Sequence, residues 1–407
     1  SSAREPAPEL REARKCYVCK APFSRVHAFY DQMCPPCAEL NWSKRHQTAD
    51  LRGRVALVTG ARVKIGYQAA IMLLRAGARV VVTTRFPRDA AARYAREPDF
   101  DTFRGRLDVH GLDLRHTPSV EAFARHVEAS YDRLDFVVHN ACQTVRRPPG
   151  FYRHLMDVEA APLDALAAGA RVVLERYEAL RVAAGTRRLA ERAAAHEALA
   201  LARAAGLQAP ALLSQLELLD DDARAAGALF PAGRLDADLQ QVDLRAQNSW
   251  RMTLHEVPTV ELLEVLLVNA VAPFVLDARL KPLMLRERTF DKHVVHVSAM
   301  EGQFYRQHKT DKHPHTNMAK AALNMLTRTS AEDWAKDGIY INSVDTGWVT
   351  DEDPAHLAAR KVEEHGFSPP LDVVDGAARI LDPIFSGLVT GRHAYGKFFK
   401  DYAETPW

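Results

Sequence analysis

The chain has 407 residues, enough for one large domain with additions or for two to three domains. Its 54 basic and 52 acidic residues leave it near neutral, which argues against nucleic acid or an anionic membrane as a partner. No apolar run approaches a membrane span, and the charged N-terminus lacks the apolar core of a signal peptide. We therefore expect a cytoplasmic protein with no membrane contact, whose first residues, to about 15, are a disordered leader.

Four of the five cysteines fall into two CxxC pairs: Cys16, Cys19, Cys34 and Cys37. Thiolates at this spacing suit tetrahedral zinc, because each CxxC turn directs two sulfurs at one metal. This use of cysteine is typical of a reducing compartment and not of a disulfide framework. A helix is predicted over 38–46, so residues 1–50 comprise the leader and a zinc module of the treble-clef kind. Because the module lacks a dense basic face, we favour a structural role or a protein partner over nucleic acid.

The segment 51–66 combines a short apolar strand, a glycine turn and the start of a helix. Residues 55–58 form the strand, Gly60 breaks it, and apolar positions from 65 to 76 have helical spacing. A second strand, 78–84, follows the helix. This layout is typical of a dinucleotide-binding site, where backbone N–H groups and a helix N-terminus hold a pyrophosphate.

Strands and helices continue to alternate along most of the chain. The predicted elements that follow are a helix over 89–96, a strand over 107–114, a helix over 118–131, a strand over 134–139, a helix over 260–280, a strand over 293–297, a helix from about 316, a strand over 339–344, a helix over 373–381 and a short final strand. Such alternation implies right-handed crossovers and a parallel sheet covered on both faces. The predicted fold class is therefore α/β.

A stretch at about 145–258, rich in Ala, Arg, Leu and Glu, interrupts this alternation. Helical spacing is plain over 163–181 and 186–205, whereas 216–250 is irregular. We interpret the stretch as a mainly helical insertion into one domain that spans 51–407. We expect it to shape substrate access or assembly and to leave cofactor binding alone, although plain surface decoration remains the alternative.

Several motifs occur in a recognisable order: Thr59-Gly60, Ile65-Gly66, Asp113-Leu114, Asn140-Ala141, Asn269, Ser298, Lys320 and the loop 344–350. With them the chain resembles the short-chain dehydrogenase/reductase family over about 51–144 and 259–400. The resemblance implies a single Rossmann-type domain with a doubly wound sheet. It also implies a nicotinamide cofactor bound by Gly60, Ile65, Gly66, Asp113, Leu114, Asn140, Ala141 and Lys320.

In that family a Tyr-x-x-x-Lys pair does the chemistry, a Ser polarises the substrate oxygen and an Asn completes a proton relay. Here the position four before Lys320 is Thr316, whose hydroxyl is too weak an acid to exchange a proton near neutral pH. Ala299 stands where the second Ser of the family motif would act. Three further positions differ: Lys64 replaces a glycine, Cys142 replaces a glycine and Thr346 replaces a proline.

The candidate catalytic residues are therefore Asn269, Ser298, Tyr305, Thr316 and Lys320. The proton donor is expected from the loop 303–316. Tyr305 is the first choice, because an adjacent Lys could lower its ordinary pKa of about 10. His315 is the second, and His308 and His313 lie in the same loop. Each histidine is otherwise a solvated loop residue.

The end of the second strand favours NADP over NAD. NAD enzymes usually carry an acid there, whereas this chain has Thr84 and Arg85, with Arg88 close by. Arg62 and Lys64 in the preceding turn lie within reach of the same phosphate, and an Arg fork suits a 2′-phosphate. Solvated surface charges are the alternative.

The sequence thus favours an NADP-dependent oxidoreductase whose partner is a small-molecule carbonyl or alcohol substrate. The alternative is a pseudo-enzyme, a nucleotide-binding scaffold that serves as a partner platform. Nucleotide-dependent chemistry other than hydride transfer is a third possibility. Because family members commonly associate through the helix that carries Asn269, the resemblance also implies a homo-oligomer.

Overall fold

The computed structural model describes residues 9–192, 205–219, 222, 228–236, 239–305, 309–350, 352–354, 356–357, 360, 363 and 368–407. Its N-terminal module consists of β1 (Glu9–Lys15), β2 (Pro22–Arg25) and α1 (Pro35–Arg45), with the two strands paired antiparallel. The predicted disordered leader is therefore wrong for residues 9–15, which have a partner strand. Residues 1–8 lie outside the described residues.

The following part of the chain is organised around one eight-stranded sheet. Its strands are β3 (Val55–Thr59), β4 (Arg79–Thr84), β5 (Leu107–Gly111), β6 (Phe136–His139), β7 (Lys292–Ser298), β8 (Ile339–Asp345), β9 (Phe398–Lys400) and β10 (Ala403–Thr405). They lie in the order β10-β9-β8-β7-β6-β3-β4-β5, and all pairs are parallel except β9 with β10. The predicted α/β fold with a mostly parallel, Rossmann-like sheet is confirmed. The strand order reverses between β3 and β6, where open α/β sheets bind ligands beyond the carboxyl ends.

Helices cover both faces of this sheet. The helices are α2 (Lys64–Arg75), α3 (Pro87–Tyr94), α4 (Phe100–Phe103), α5 (Thr117–Ser130), α6 (Pro149–Ala160), α7 (Ala168–Val172), α8 (Glu175–Arg192), α9 (Pro210–Leu213), α10 (Thr259–Leu285), α11 (Pro314–Lys336) and α12 (Val373–Thr390). Alternate residues of β3 join opposite cores: Ala56 and Val58 pack with α2 and α12, whereas Val55 and Leu57 pack with α5 and α10. Apolar residues on both faces of a strand are typical of a buried parallel sheet.

Helix α10 has 27 residues and is long and apolar enough, by length and composition alone, to cross a membrane. This differs from the expectation that no apolar run of the sequence approaches the length of a membrane-spanning helix. Its Leu276, Leu280 and Leu283 are fully buried in the core beside β7 and β8. Core helices of soluble proteins share this length and composition, so the helix is weak evidence for a membrane.

The stretch 145–258 packs against the edge strand β5. Its first predicted helix, 163–181, is broken into a 3₁₀ turn, α7 and the start of α8. The break has a physical reason, because the Val173 carbonyl accepts a hydrogen bond from Val109 N–H of β5 at 2.8 Å. The segment thereby covers backbone groups that an edge strand would expose. The second predicted helix, 186–205, lies partly outside the described residues.

The N-terminal module packs on α12 and on the loop that follows β8. Tyr30 Oη donates to Asp375 Oδ1 at 2.6 Å, and Arg45 Nη1 lies 2.7 Å from Asp372 Oδ1 and 3.0 Å from Asp375 Oδ1. An apolar cluster joins the two parts and includes Cys16, Phe23, Met33, Val349 and Leu371. The module is thus docked on the end of the sheet where β8 terminates.

Candidate active site and cofactor cleft

A cleft of about 1120 Å³ lies at the carboxyl ends of β3, β4, β6, β7 and β8. All of the predicted cofactor residues line it: Gly60, Arg62, Lys64, Ile65, Gly66, Thr84, Arg85, Asp113, Leu114, Asn140, Ala141 and Lys320. The turns that carry them follow separate strands. The parallel sheet brings these turns together at one edge.

Two glycines allow the turn after β3 to approach the end of β6. Gly60 has φ +68°, and a Cβ there would lie 2.7 Å from Ala141 Cα. A Cβ on Gly66 would lie 2.2 Å from Asn140 Nδ2, which donates to the Thr59 and Gly60 carbonyls at 3.2 and 3.1 Å. The N-terminus of α2, which begins in this turn, has no side-chain cap. Uncapped N–H groups beside a glycine turn fit a phosphate of a dinucleotide.

Lys64, at the position of the missing glycine, has φ +55°. A non-glycine residue in this left-handed region costs about 1–2 kcal/mol, part of which glycine would offset through the entropy of the unfolded chain. Lys64→Gly should therefore raise the free energy of unfolding by about 0.5 kcal/mol in urea titrations. Lys64→Ala removes the same side chain and keeps the left-handed Cβ, so it should give no such gain. Equal stability of the two variants would contradict this account.

Arg85 is the cation at the end of β4 that faces the cleft. Its guanidinium donates to Tyr152 Oη at 2.7 Å and lies 4.6 Å from the Tyr152 ring centroid. Among the residues the structure describes, Arg85 forms no ion pair. Arg62, by contrast, donates to Asp89 Oδ2 at 2.7 Å, so a carboxylate already neutralises it. Of Arg62 and Arg85, which both line the cleft, Arg85 is the better placed to hold a 2′-phosphate.

Lys320 and Ser298 line the same cleft at the end of β7. Lys320 Nζ, 3% exposed as a residue, donates to the Val297 carbonyl at 2.8 Å. Ser298 Oγ is buried, and within the described chain it has no hydrogen-bond partner. A buried polar atom without a partner needs an explanation, and a bound ligand would supply one.

Asn269 and Thr316 are buried but are not among the cleft-lining residues. Asn269 lies in a π-helical turn, Leu267–Val271, of the kind often found at functional sites. Its Nδ2 donates to the Gln143 and Val265 carbonyls, at 3.1 and 2.9 Å. Asn269 Oδ1 and Thr316 Oγ1 have no partner within the described residues. Thr316 precedes Lys320 by one turn of α11, so the two share a helix face.

The two proposed proton donors are not placed as the sequence predicted. Tyr305 is 87% exposed and does not line the cleft, so it is not positioned to donate a proton there. His315 is buried, with Nε2 3.4 Å from Glu261 Oε1, and it does not line the cleft either. His313 stacks on Trp250 with ring centroids 3.9 Å apart. His308 lies outside the described residues.

A buried network of two histidines and an aspartate lies next to these strand ends. Asp277 of α10 accepts from His139 Nε2 at 2.7 Å and from His296 Nε2 at 2.8 Å. Burial alone would raise the pKa of Asp277, but the two imidazoles lower it below its ordinary range. His296 Nδ1 contacts Thr327 Oγ1 at 2.6 Å. Because both Nε2 atoms already bond the carboxylate, the three side chains form a hydrogen-bonded network, and no sequence motif marks it.

Other cleft residues were also missed, because they come from the module and the insertion. Tyr17 and Lys20 of the module line the cleft, as do Arg147, Tyr152 and Trp250 of the insertion. Tyr152 contacts Arg85, so the expectation that the insertion leaves the cofactor end alone is not supported. No sequence motif marks these residues, since tertiary packing alone brings them to the cleft.

The four paired cysteines form one cluster whose sulfur atoms all lie within 4.8 Å of one another. Cys19 Sγ and Cys34 Sγ are 3.6 Å apart, close to the roughly 3.8 Å that tetrahedral zinc with 2.3 Å bonds requires. The donor set therefore fits a metal that takes thiolates.

Comparison with known proteins agrees with this geometry. The family model described as short chain dehydrogenase matches residues 54–157, and the model described as enoyl-(acyl carrier protein) reductase matches residues 222–366. The fold and the cleft define a Rossmann-like protein of the dehydrogenase type. This chain belongs to the short-chain dehydrogenase/reductase family of oxidoreductases.

Three relatives illustrate the range of similarity. The uncharacterized protein R665 of Acanthamoeba polyphaga mimivirus is 30% identical over 96% of this chain and 74% of its own length. Dehydrogenase/reductase SDR family member 13 of Bos taurus is 38% identical, but over only 28% of this chain and 29% of that protein. The NADP active-site complex of Pseudomonas aeruginosa RhlG has a TM-score of 0.51 at 17% identity, covering 87% of this chain and 96% of that one. At that identity the structural likeness shows the fold alone.

Proposed function

We propose that this protein is an NADP-dependent oxidoreductase that transfers a hydride to or from a small carbonyl or alcohol substrate. The observation that carries the proposal is one cleft holding the glycine turn, Arg85 at its β4 end, and Ser298 with Lys320 at the end of β7. When bound, the cofactor supplies or accepts the hydride. The protein supplies binding, orientation and the proton.

The glycine turn and the N-terminus of α2 bind the pyrophosphate through backbone N–H groups. Arg85 pairs with the 2′-phosphate, and Asn140 holds the turn in place through its bonds to Thr59 and Gly60. Ser298 Oγ, which has no partner among the described residues, donates to the substrate oxygen. These contacts orient a carbonyl against the end of β7.

The proton is assigned to Lys320, because neither Tyr305 nor His315 lines the cleft. An ammonium is a stronger acid than an alcohol, so it can protonate the alkoxide that carbonyl reduction produces. In carbonyl reduction the substrate oxygen takes a proton from Lys320 Nζ, and solvent returns a proton to the amine. Thr316 adds a hydroxyl on the same helix face but supplies no proton itself.

Turnover is the direct test of this proposal. NADPH absorbance is followed with a panel of aldehydes and ketones, and NADP reduction with the matching alcohols, after cofactor binding has been established by calorimetry. Substrate-dependent NADPH consumption is expected. Tight NADPH binding without turnover on any substrate would instead support the pseudo-enzyme, a reading favoured by the replacement of the family's Tyr with Thr316.

Arg85→Ala should weaken NADP binding by about tenfold and change NAD binding by less than twofold, because only NADP carries the 2′-phosphate. Calorimetric titration of both cofactors measures this. Arg88→Ala is the matched control, since Arg88 follows shortly in sequence but does not line the cleft. Equal losses for NAD and NADP, or tighter NAD binding to the wild-type protein, would rule out the role of Arg85.

The proposal includes one structural zinc ion held by Cys16, Cys19, Cys34 and Cys37. Its support is the clustering of four sulfurs at distances that suit a tetrahedral ion. None of the five cysteines, all within the described residues, forms a disulfide, and we propose a cytoplasmic location, where reducing conditions keep thiols available for the metal. A metal would tie the two CxxC turns together in a module too small to have a large core of its own.

A homo-oligomer is also part of the proposal, through α10 and α11. Exposed apolar side chains support it: Val271 and Phe274 on α10 are 39% and 58% exposed, and Met318 and Met325 on α11 are 53% and 57% exposed. Phe274→Glu should convert the oligomer to a smaller species in sedimentation velocity, whereas Val389→Glu, at an exposed site on α12, should not. A monomeric wild-type protein at micromolar concentration would contradict this assignment.

A further inference from the structure

The first CxxC turn of the module is also a wall of the cleft. Tyr17 lies between Cys16 and Cys19, and both Tyr17 and Lys20 line the cavity. We infer that the four-cysteine module is part of the cofactor-binding site, and that its bound metal holds Tyr17 against the loop after β8 and thereby sets dinucleotide affinity. This inference rests on the proposed function, since it takes the cleft to be the NADP site.

Tyr17 makes a direct contact with the loop that borders the cleft. Its Oη accepts a hydrogen bond from Trp348 N–H at 2.8 Å. Gly347 has φ +75°, and a Cβ there would lie 3.1 Å from Tyr17 Oη and 2.5 Å from Leu371 Cδ1. Glycine at 347 allows the positive φ and leaves room for Tyr17 and Leu371 beside the loop. Gly347 and Trp348 also line the cleft, so Tyr17 fixes the position of a cleft wall.

Tyr17 lies in a tight turn flanked by two of the four cysteines, Cys16 and Cys19. Cys16 N–H donates to the Ala21 carbonyl at 2.8 Å, Lys20 N–H donates to the Cys16 carbonyl at 3.1 Å, and Tyr17 N–H donates to the Gln32 carbonyl at 2.8 Å. These bonds close a tight turn around two of the four sulfurs. A metal shared by both pairs would lock this turn, and its loss would release Tyr17.

The rest of the module is anchored independently of the cysteines. Arg45 and Tyr30 bond Asp375 of α12, and Lys44 Nζ lies 2.5 Å from Asp382 Oδ1. Metal loss should therefore loosen the turn next to the cleft while α1 stays docked. Lys20 adds a cation to the same wall, which suits an anionic dinucleotide.

The test measures NADPH affinity of the full chain by calorimetry, with zinc bound, after chelation under reducing conditions, and after zinc is restored. Tyr17→Phe should weaken binding by about fivefold, the loss of one hydrogen bond, and Tyr17→Ala by about tenfold or more. Chelation should weaken wild-type binding by a similar factor, zinc should restore it, and chelation of Tyr17→Ala should add less than about twofold. Phe29→Ala is the matched control, an aromatic residue of the same module that is 47% exposed and does not line the cleft.

Affinity that stays within twofold in Tyr17→Phe, in Tyr17→Ala and after chelation would overturn this inference and leave the NADP site intact. An equal loss in Phe29→Ala would also overturn it, because the effect would then belong to the module in general. No NADPH binding by the zinc-loaded wild-type protein would overturn the proposed function and this inference together. If chelation unfolds the chain, the NADPH affinity of zinc-loaded Tyr17→Phe still tests the inference, because this substitution removes only one hydroxyl.

Discussion

Lys320→Met should lower turnover by roughly 10²–10⁴-fold, the usual contribution of a positioned general acid or base. Methionine keeps the length and apolar stem of lysine but removes the ammonium that donates to the Val297 carbonyl and lies at the cleft. NADPH affinity should fall by less than turnover does, because the glycine turn and Arg85 still bind the phosphates. Steady-state kinetics at saturating NADPH, with the substrate identified by the panel, measures the effect.

A second buried lysine provides the control. Lys292, at the amino end of β7, donates to the Leu134 and Met284 carbonyls and does not line the cleft. Lys292→Met should lower the free energy of unfolding and leave turnover within about twofold. Both lysines are buried, but only Lys320 lines the cleft. Wild-type turnover in Lys320→Met would show that the proton comes from another group.

Removal of the metal should have the second largest effect, on stability. Zinc binding folds small metal modules with a free energy on the order of 10 kcal/mol, so Cys34→Ser should lose the ion and loosen both CxxC turns, while the ion pairs of α1 with α12 remain. Because Cys34 packs with Val349 and Leu371, part of this effect should reach the α/β core and lower the melting temperature by on the order of 10 °C. Elemental analysis should find about one zinc per wild-type chain and far less in Cys34→Ser.

Cys142→Ser is the matched control for this experiment. Cys142 is an exposed thiol outside the four-sulfur cluster, so its replacement should keep both the zinc and the melting temperature. The metal site would be contradicted if wild-type protein, purified without added metal, contained no zinc and all four clustered thiols were freely titratable.

The α/β core was predictable because local rules act on it consistently. Short apolar strands such as β3 and β4 are recognisable from their residues, and the turn after β3 is marked by Gly60. Gly60 and Gly66 also mark where this turn approaches the end of β6 closely. The same rules place Ser298 and Lys320, since both sit at fixed positions on regular elements, the last residue of β7 and the second turn of α11.

The position of Tyr305 was not predictable, because the sequence does not show which way an irregular loop turns. Tyr305 lies within a few residues of Ser298 in the chain, yet its side chain is 87% exposed. Likewise, helical spacing over 163–181 did not reveal the break at Val173, where pairing with the β5 edge replaced a regular helix. In both cases tertiary contacts outweighed the local pattern.

Contacts between separate parts of the chain were also beyond the sequence. No sequence motif marks Tyr17 in the four-cysteine module or Tyr152 in the insertion as a residue of the cleft. Both line the cleft because the module packs on α12 and the insertion packs beside α3. These packing contacts join distant parts of the chain, so no short sequence motif predicts them.

The most direct test of the central claim is transfer of an isotope from the cofactor. NADPH carrying deuterium at the reactive carbon of the nicotinamide is incubated with the protein and each carbonyl of the panel, and the alcohol products are examined by mass spectrometry. We expect deuterium in at least one product alcohol with wild-type protein and far less with Lys320→Met. Tight NADPH binding with no deuterium in any product would contradict the assignment of this protein as an active oxidoreductase on such substrates.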